Sequence, residues 1–82
     1  MEKTEIIELI KAGVPNSDVF IEGEGCNFTV VVVSPEFEGL SLLKKQKKVM
    51  ATVAEQIRSG ALHAIAIKTH TPSEWDRINA GS

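Results

Sequence analysis

Few side chains in this sequence are equipped for chemistry. The single cysteine, Cys26, sits in the stretch GEGCNF, with glycines before it and an aromatic after it. The two histidines are His63, in LHAIAIK, and His70, in THTPSEW. Lys44, Lys45, Lys47 and Lys48 crowd the stretch LLKKQKK. A thiolate and a neutral imidazole are ligands for soft and borderline metals. Side by side they also make a nucleophile with its base. A lysine cluster is a site for anions, either a phosphate backbone or an acidic partner.

Each of these has a plainer reading. Free cysteine usually packs as a small buried hydrophobe, whereas the turn-forming neighbours of Cys26 favour an exposed thiol that ligates or reacts. A third reading is a redox sensor in which Cys26 forms an intermolecular disulfide. His63 opens an apolar run and reads as a half-buried, satisfied side chain or as a nitrogen ligand. His70 is expected in a loop, solvated. The lysines read as a solvated helix face or as an anion site; no aromatic interleaves with them, so single-strand base stacking is not expected. The acids are scattered, and neither GxGxxG nor GxxxxGK(S/T) occurs. With 82 residues and no sign of an oxyanion hole or substrate cleft, enzyme activity is not expected.

The elements that must position these residues are legible from period and punctuation. Residues 3–12 repeat apolar side chains at helical spacing, and Gly13 reads as the C′ residue with Pro15 blocking continuation. Residues 18–33 read as a β-hairpin with its turn at residues 23–27. Val19 and Ile21 share one face of its first strand, and Phe20 and Glu22 the other. Its second strand, residues 28–33, is apolar on both faces, as suits a central position. SPEFEGL is a loop. Residues 42–58 return to helical period, with Leu42, Leu43, Val49, Met50, Val53, Ala54 and Ile57 as the apolar stripe. Residues 62–68 form a third strand, and the strand–helix–strand succession implies a parallel crossover. Thr71, Pro72 and Glu74 announce a last short helix through a capping box, with Trp75 packing back on the sheet.

The expected architecture is α+β: a single domain over residues 1–82, in αββαβα order, with a three-stranded mixed sheet. The hairpin turn precedes strand two, and strand three runs parallel to strand two from His63. Cys26 and His63 therefore fall at one end of the sheet. Two ligands leave a tetrahedral site incomplete, so a metal or cluster there needs a second molecule.

Composition narrows the classes. The chain is 43% hydrophobic and 24% charged, with a net charge of −2, so it lacks the global basic field of a nucleic-acid binder. One cysteine excludes an internal disulfide. No apolar run approaches the roughly 20 residues that span a bilayer, and MEKTEIIELIKAG lacks the apolar centre of a signal peptide. A soluble, cytoplasmic protein without membrane contacts is expected.

FEGLSLLKKQKKV followed by LHAIAIKTHTPSEW resembles the BolA-like proteins, and more closely their shorter bacterial IbaG/YrbA-like branch. The likeness runs from Glu5 to about Arg77; its most specific block is HAIAIKTHTPSEW, supported by F-x-G at Phe37 and Gly39. The resemblance implies a fold related to the type II KH domain but without the GxxG loop, which this sequence also lacks. It implies a heterodimer with a monothiol glutaredoxin of the CGFS type and a shared 2Fe-2S cluster. The glutaredoxin would supply its cysteine and a glutathione thiol, and this chain His63 and, from the hairpin loop, Cys26. No cofactor is expected in the isolated protein, as a monomer or weak homodimer. Many BolA proteins carry Arg-His-Arg in the second helix; here it is Lys45-Gln46-Lys47, which places DNA-binding, transcriptional and stress-response regulation second. Lys44, Lys45, Lys47 and Lys48 would instead contact the glutaredoxin or its glutathione carboxylates.

Overall fold

The computed structural model describes residues 2–24, 27–62 and 64–80. Its elements are helix α1 (Lys3–Gly13), strands β1 (Asp18–Glu24) and β2 (Asn27–Val33), a 3-10 turn (Pro35–Phe37), helices α2 (Leu42–Thr52) and α3 (Ala54–Arg58), strand β3 (Ala64–His70) and helix α4 (Pro72–Ala80). The sheet order is β1-β2-β3. The β1–β2 pair is antiparallel and the β2–β3 pair parallel, so the expected mixed sheet with an apolar central strand is what forms.

Register partners share a face. Val19, Ile21, Phe28, Val30, Val32, Ile65, Ile67 and Thr69 therefore line one side of the sheet. That side carries the core: Val19, Phe28, Val30 and Val32 are buried together with Ile6, Ile10 and Val14 from α1 and its end, Phe37, Val49, Val53 and Leu62. The Thr69 hydroxyl is buried among them with no hydrogen-bond partner among the described residues, and nothing in the packing explains it. The other face carries Phe20, Val31, Lys68 and His70, and α4 covers its His70 end.

Several local expectations change. The strands extend to Glu24 and from Asn27, so the connection is shorter than residues 23–27. Gly13 is the last helical residue and not a left-handed C′ residue; Val14 is the cap. A Cβ at Gly13 would collide with the Thr52 side chain, so the missing side chain is what lets α1 approach α2. SPEFEGL contains the 3-10 turn, whose N–H at Glu36 donates to Ser34 Oγ at 3.1 Å.

The single helix expected over residues 42–58 is broken at Val53, which has φ −120° and ψ 15° and is fully buried. The break has a positional cause. Lys45 near the start of α2 reaches Glu74 at the start of α4, and Thr52 at the end of α2 abuts Gly13. Both contacts lie toward the end of the sheet where β2 and β3 finish and β1 begins. Helix α2 therefore crosses that end, and α3 turns to bring the chain back to the start of β3. The same crossing corrects the apolar stripe. Val49 and Val53 are buried, but Leu42 and Leu43 are 66% and 63% exposed, and Met50 is exposed as well. Among the described residues, no helix is long and apolar enough to cross a membrane.

Candidate functional site

Strands β2 and β3 start at the same end of the sheet, where Asn27 and Ala64 are register partners. The residues directly before them in the chain are Cys26 and His63. Both candidate ligands lie outside the described residues, so the geometry of this end is set out from its flanks. Phe28 is buried and pairs with Ile65 one step into the sheet. On the other side, Leu62 is fully buried and donates its N–H to the Gln56 carbonyl at 3.0 Å. The core thus holds both strand starts, and the alignment follows from the parallel register. Among the described residues, no group of three or more His, Cys, Asp or Glu side chains comes together to hold a metal.

The lysines lie elsewhere. Ser41 caps α2, its Oγ accepting from the Lys44 N–H at 3.3 Å. Lys45 is half-buried, with its Nζ 3.9 Å from the Glu74 carboxylate, so one of the four cations is occupied. Gln46 Nε2 donates to the Ile67 carbonyl at 3.5 Å, a long contact to the outer edge of β3. Lys44 and Lys47 are exposed and Lys48 half-buried. The cluster occupies the sheet end opposite the Asn27–Ala64 pair.

The lysine end is built by α4. The Thr71 N–H donates to Glu74 Oε1 at 2.8 Å, and the Glu74 N–H to Thr71 Oγ1 at 3.3 Å, which is the expected capping box. Trp75 stacks on Phe20, with ring centroids 5.4 Å apart, and lies 5.6 Å from His70. His70 is therefore the last residue of β3, half-buried against an aromatic ring, and not a solvated loop residue. Its backbone carbonyl accepts from the Ser34 N–H at 3.0 Å. The alternation of Ala66, Lys68 and His70, followed at once by the cap residue Thr71, was the sequence signal for this.

Glu74 has its carboxyl held below the ordinary carboxylate range. The Thr71 N–H is the main cause, followed by the Thr71 hydroxyl, with the positive charge of Lys45 and His70 adding to it. A depressed folded-state value contributes stability above the ordinary carboxylate value, and that contribution is lost as pH falls through the depressed value. Glu74→Gln keeps an oxygen for the Thr71 N–H but removes the charge. The wild type is expected to be the more stable at pH 7, and the gap should narrow at an acid pH below the ordinary carboxylate range, where Glu74 takes up its proton. Urea midpoints of the two proteins at both pH values check this; a gap that is unchanged by acid would remove the role assigned to the charge.

Comparison with known proteins agrees with this architecture. Residues 11–74 match the family model of the BolA-like proteins. The Escherichia coli (strain K12) acid stress protein IbaG is 36% identical over 77 residues, which cover 94% of this chain and 92% of that protein. The Homo sapiens BolA-like protein 1 is 45% identical over 53 residues, 65% of this chain but only 38% of that longer protein. The structure of a bolA protein homologue from Coxiella burnetii superposes with a TM-score of 0.82 at 32% identity, covering 93% of this chain and 97% of that one. The family match spans most of the chain, through the FEG turn, the lysine helix and the THTPSE cap alike, and the chain belongs to the BolA-like family.

Proposed function

We propose that this chain is a non-enzymatic iron–sulfur adaptor that pairs with a monothiol glutaredoxin and supplies His63 and Cys26 to a shared 2Fe-2S cluster. The observation that carries the reading is the parallel register of Asn27 with Ala64, because the two donor residues are the ones that precede this pair. The donor set suits the group. In the sequence a cysteine and a histidine directly precede neighbouring strand starts, and neighbouring strands are about 4.8 Å apart. Imidazole in place of thiolate raises the potential of a 2Fe-2S centre and distinguishes it from an all-thiolate one. This chain would hold its two donors on a packed strand end and leave the remaining positions to the partner's cysteine and glutathione. The role would be cluster transfer or sensing in the cytoplasm, and the similarity to a protein named for acid stress supports a stress-response setting.

The test mixes this protein with a cluster-loaded monothiol glutaredoxin and records visible absorption and circular dichroism. The mixture is expected to differ from the glutaredoxin alone. His63→Ala should alter that difference, and His63→Ala with Cys26→Ser should remove it. A mixed spectrum that the double substitution leaves unchanged sinks the ligand assignment.

The second reading is a nucleic-acid-binding regulator. It is favoured by Lys44 and Lys47, which are exposed and without an acidic partner among the described residues. Duplex DNA binding would then weaken steeply with added salt as lysine–phosphate contacts release counterions. No binding at physiological salt excludes it.

A further inference from the structure

Two surfaces of this molecule lack a partner, and their chemistry is complementary. The first is the exposed side of α2. Leu42 and Leu43 project their side chains into solvent, and Met50 lies two turns beyond Leu43 on the same side. Lys44 lies beside this strip and Lys47 within it, between Leu43 and Met50, so it is locally cationic on a chain of net charge −2. The second is a cleft of about 330 Å³ between α1 and α3, lined by Glu5, Glu8, Leu9, Ala12 and Gln56. A cavity of roughly half that volume already accepts a benzene-sized group. Leu9 and Ala12 supply apolar lining and the two carboxylates an anionic rim. Neither Glu5 nor Glu8 pairs with a cation among the described residues, whereas the neighbouring Glu55 is taken by Arg58 at 3.2 Å.

We propose that one copy of this chain docks on another, with Leu43 entering the α1–α3 cleft and Lys44 and Lys47 meeting Glu5 and Glu8. Both leucines are too exposed to contribute to the fold, and burying them would recover the free energy of apolar transfer. The charges fix orientation more than affinity, since exposed ion pairs contribute little each. Knob and cleft are different surfaces, so the contact is head-to-tail and leaves a free knob at one end and a free cleft at the other. Association therefore continues past the dimer. The patch is small, which makes the assembly weak and concentration-dependent. None of this involves Cys26 or His63, so it stands or falls apart from the cluster reading.

Sedimentation of the native chain up to ~1 mM at low salt tests the contact. The mean mass should rise beyond that of a dimer, and the rise should shrink as salt shortens the screening length from about 30 Å to about 8 Å. Leu43→Glu keeps the cleft and destroys the knob; Glu8→Lys keeps the knob and reverses the rim. Both positions are exposed, so both variants fold, which far-ultraviolet circular dichroism verifies. Each variant alone should associate about tenfold more weakly or not at all. Mixed together they retain one knob and one cleft that match, and should form a pair that stops at two chains. A native chain that stays monomeric throughout overturns the proposal. So does a dimer that Leu43→Glu leaves intact, or a mixture that fails to pair.

Discussion

Phe37→Ala is expected to destabilise the fold by about 3–5 kcal/mol. A domain of 82 residues has about 4–12 kcal/mol in total, so the variant is expected to lose a large share of its stability. The reason is the construction of the FEG turn. Ser34 caps a single 3-10 turn, and that turn drives the Phe37 ring into the core, where it is fully buried with Val49, Val53 and the strand valines. Gly39 then adopts φ +77°, a left-handed conformation that side chains resist, and carries the chain to α2. Phe37→Leu keeps most of the apolar volume and should lose much less. Urea unfolding followed by circular dichroism, with equal slopes for the variants, measures both. A Phe37→Ala midpoint close to that of the native chain would show that the core closes over the gap.

Gly13→Ala carries the second large effect, and its sign is the informative part. In an open helix end, alanine would be neutral or stabilising. Here the new methyl meets Thr52 Cγ2. Thr52 cannot turn aside cheaply, because its χ1 is stiff and its Oγ1 donates to the Val49 carbonyl at 2.6 Å. A loss of about 1–3 kcal/mol is expected from overpacking. Thr52→Ser deletes the offending methyl and keeps the hydroxyl. The double variant Gly13→Ala, Thr52→Ser should recover most of the loss, and a double-mutant cycle reads the coupling directly. If the two substitutions simply add, the close approach is not what keeps glycine at this position.

These two residues mark the boundary of what can be read from the chain alone. The hairpin pairing and the capping box at Thr71 and Glu74 are decided by neighbours within a few positions, and the structure has both, the hairpin with a shorter connection than expected. The parallel crossover follows from the strand–helix–strand order, with β3 running over Ala64–His70 where residues 62–68 were expected. Gly13 looked like a helix stop because the sequence does not show Thr52 beside it. Val53 is an ordinary helix residue by pattern; it breaks the helix because the chain must cross one end of the sheet and then return to the other. Leu42 and Leu43 fit the apolar period but face solvent, since period sets the phase of a helix and not which side the sheet lies on. The same limit applies to the candidate site. Strand direction alone was enough to align the positions after Cys26 and His63, Asn27 and Ala64, at one end. The place of the lysines depended on where α2 lies across the sheet, which no local signal encodes.

The parallel seam between β2 and β3 also has a temporal side. The β1–β2 hairpin joins neighbours in the chain, whereas Asn27 meets Ala64 only after the chain has gone through α2 and α3. Loop-closure entropy disfavours the second pairing until the crossover helices are packed, and such non-local contacts are the slow ones to form. The starts of β2 and β3 are therefore neighbours only in a chain whose crossover is complete. An emerging or partly unfolded copy would keep the two strand starts on separate segments, and the ligand pair proposed above, Cys26 and His63, could not assemble in it.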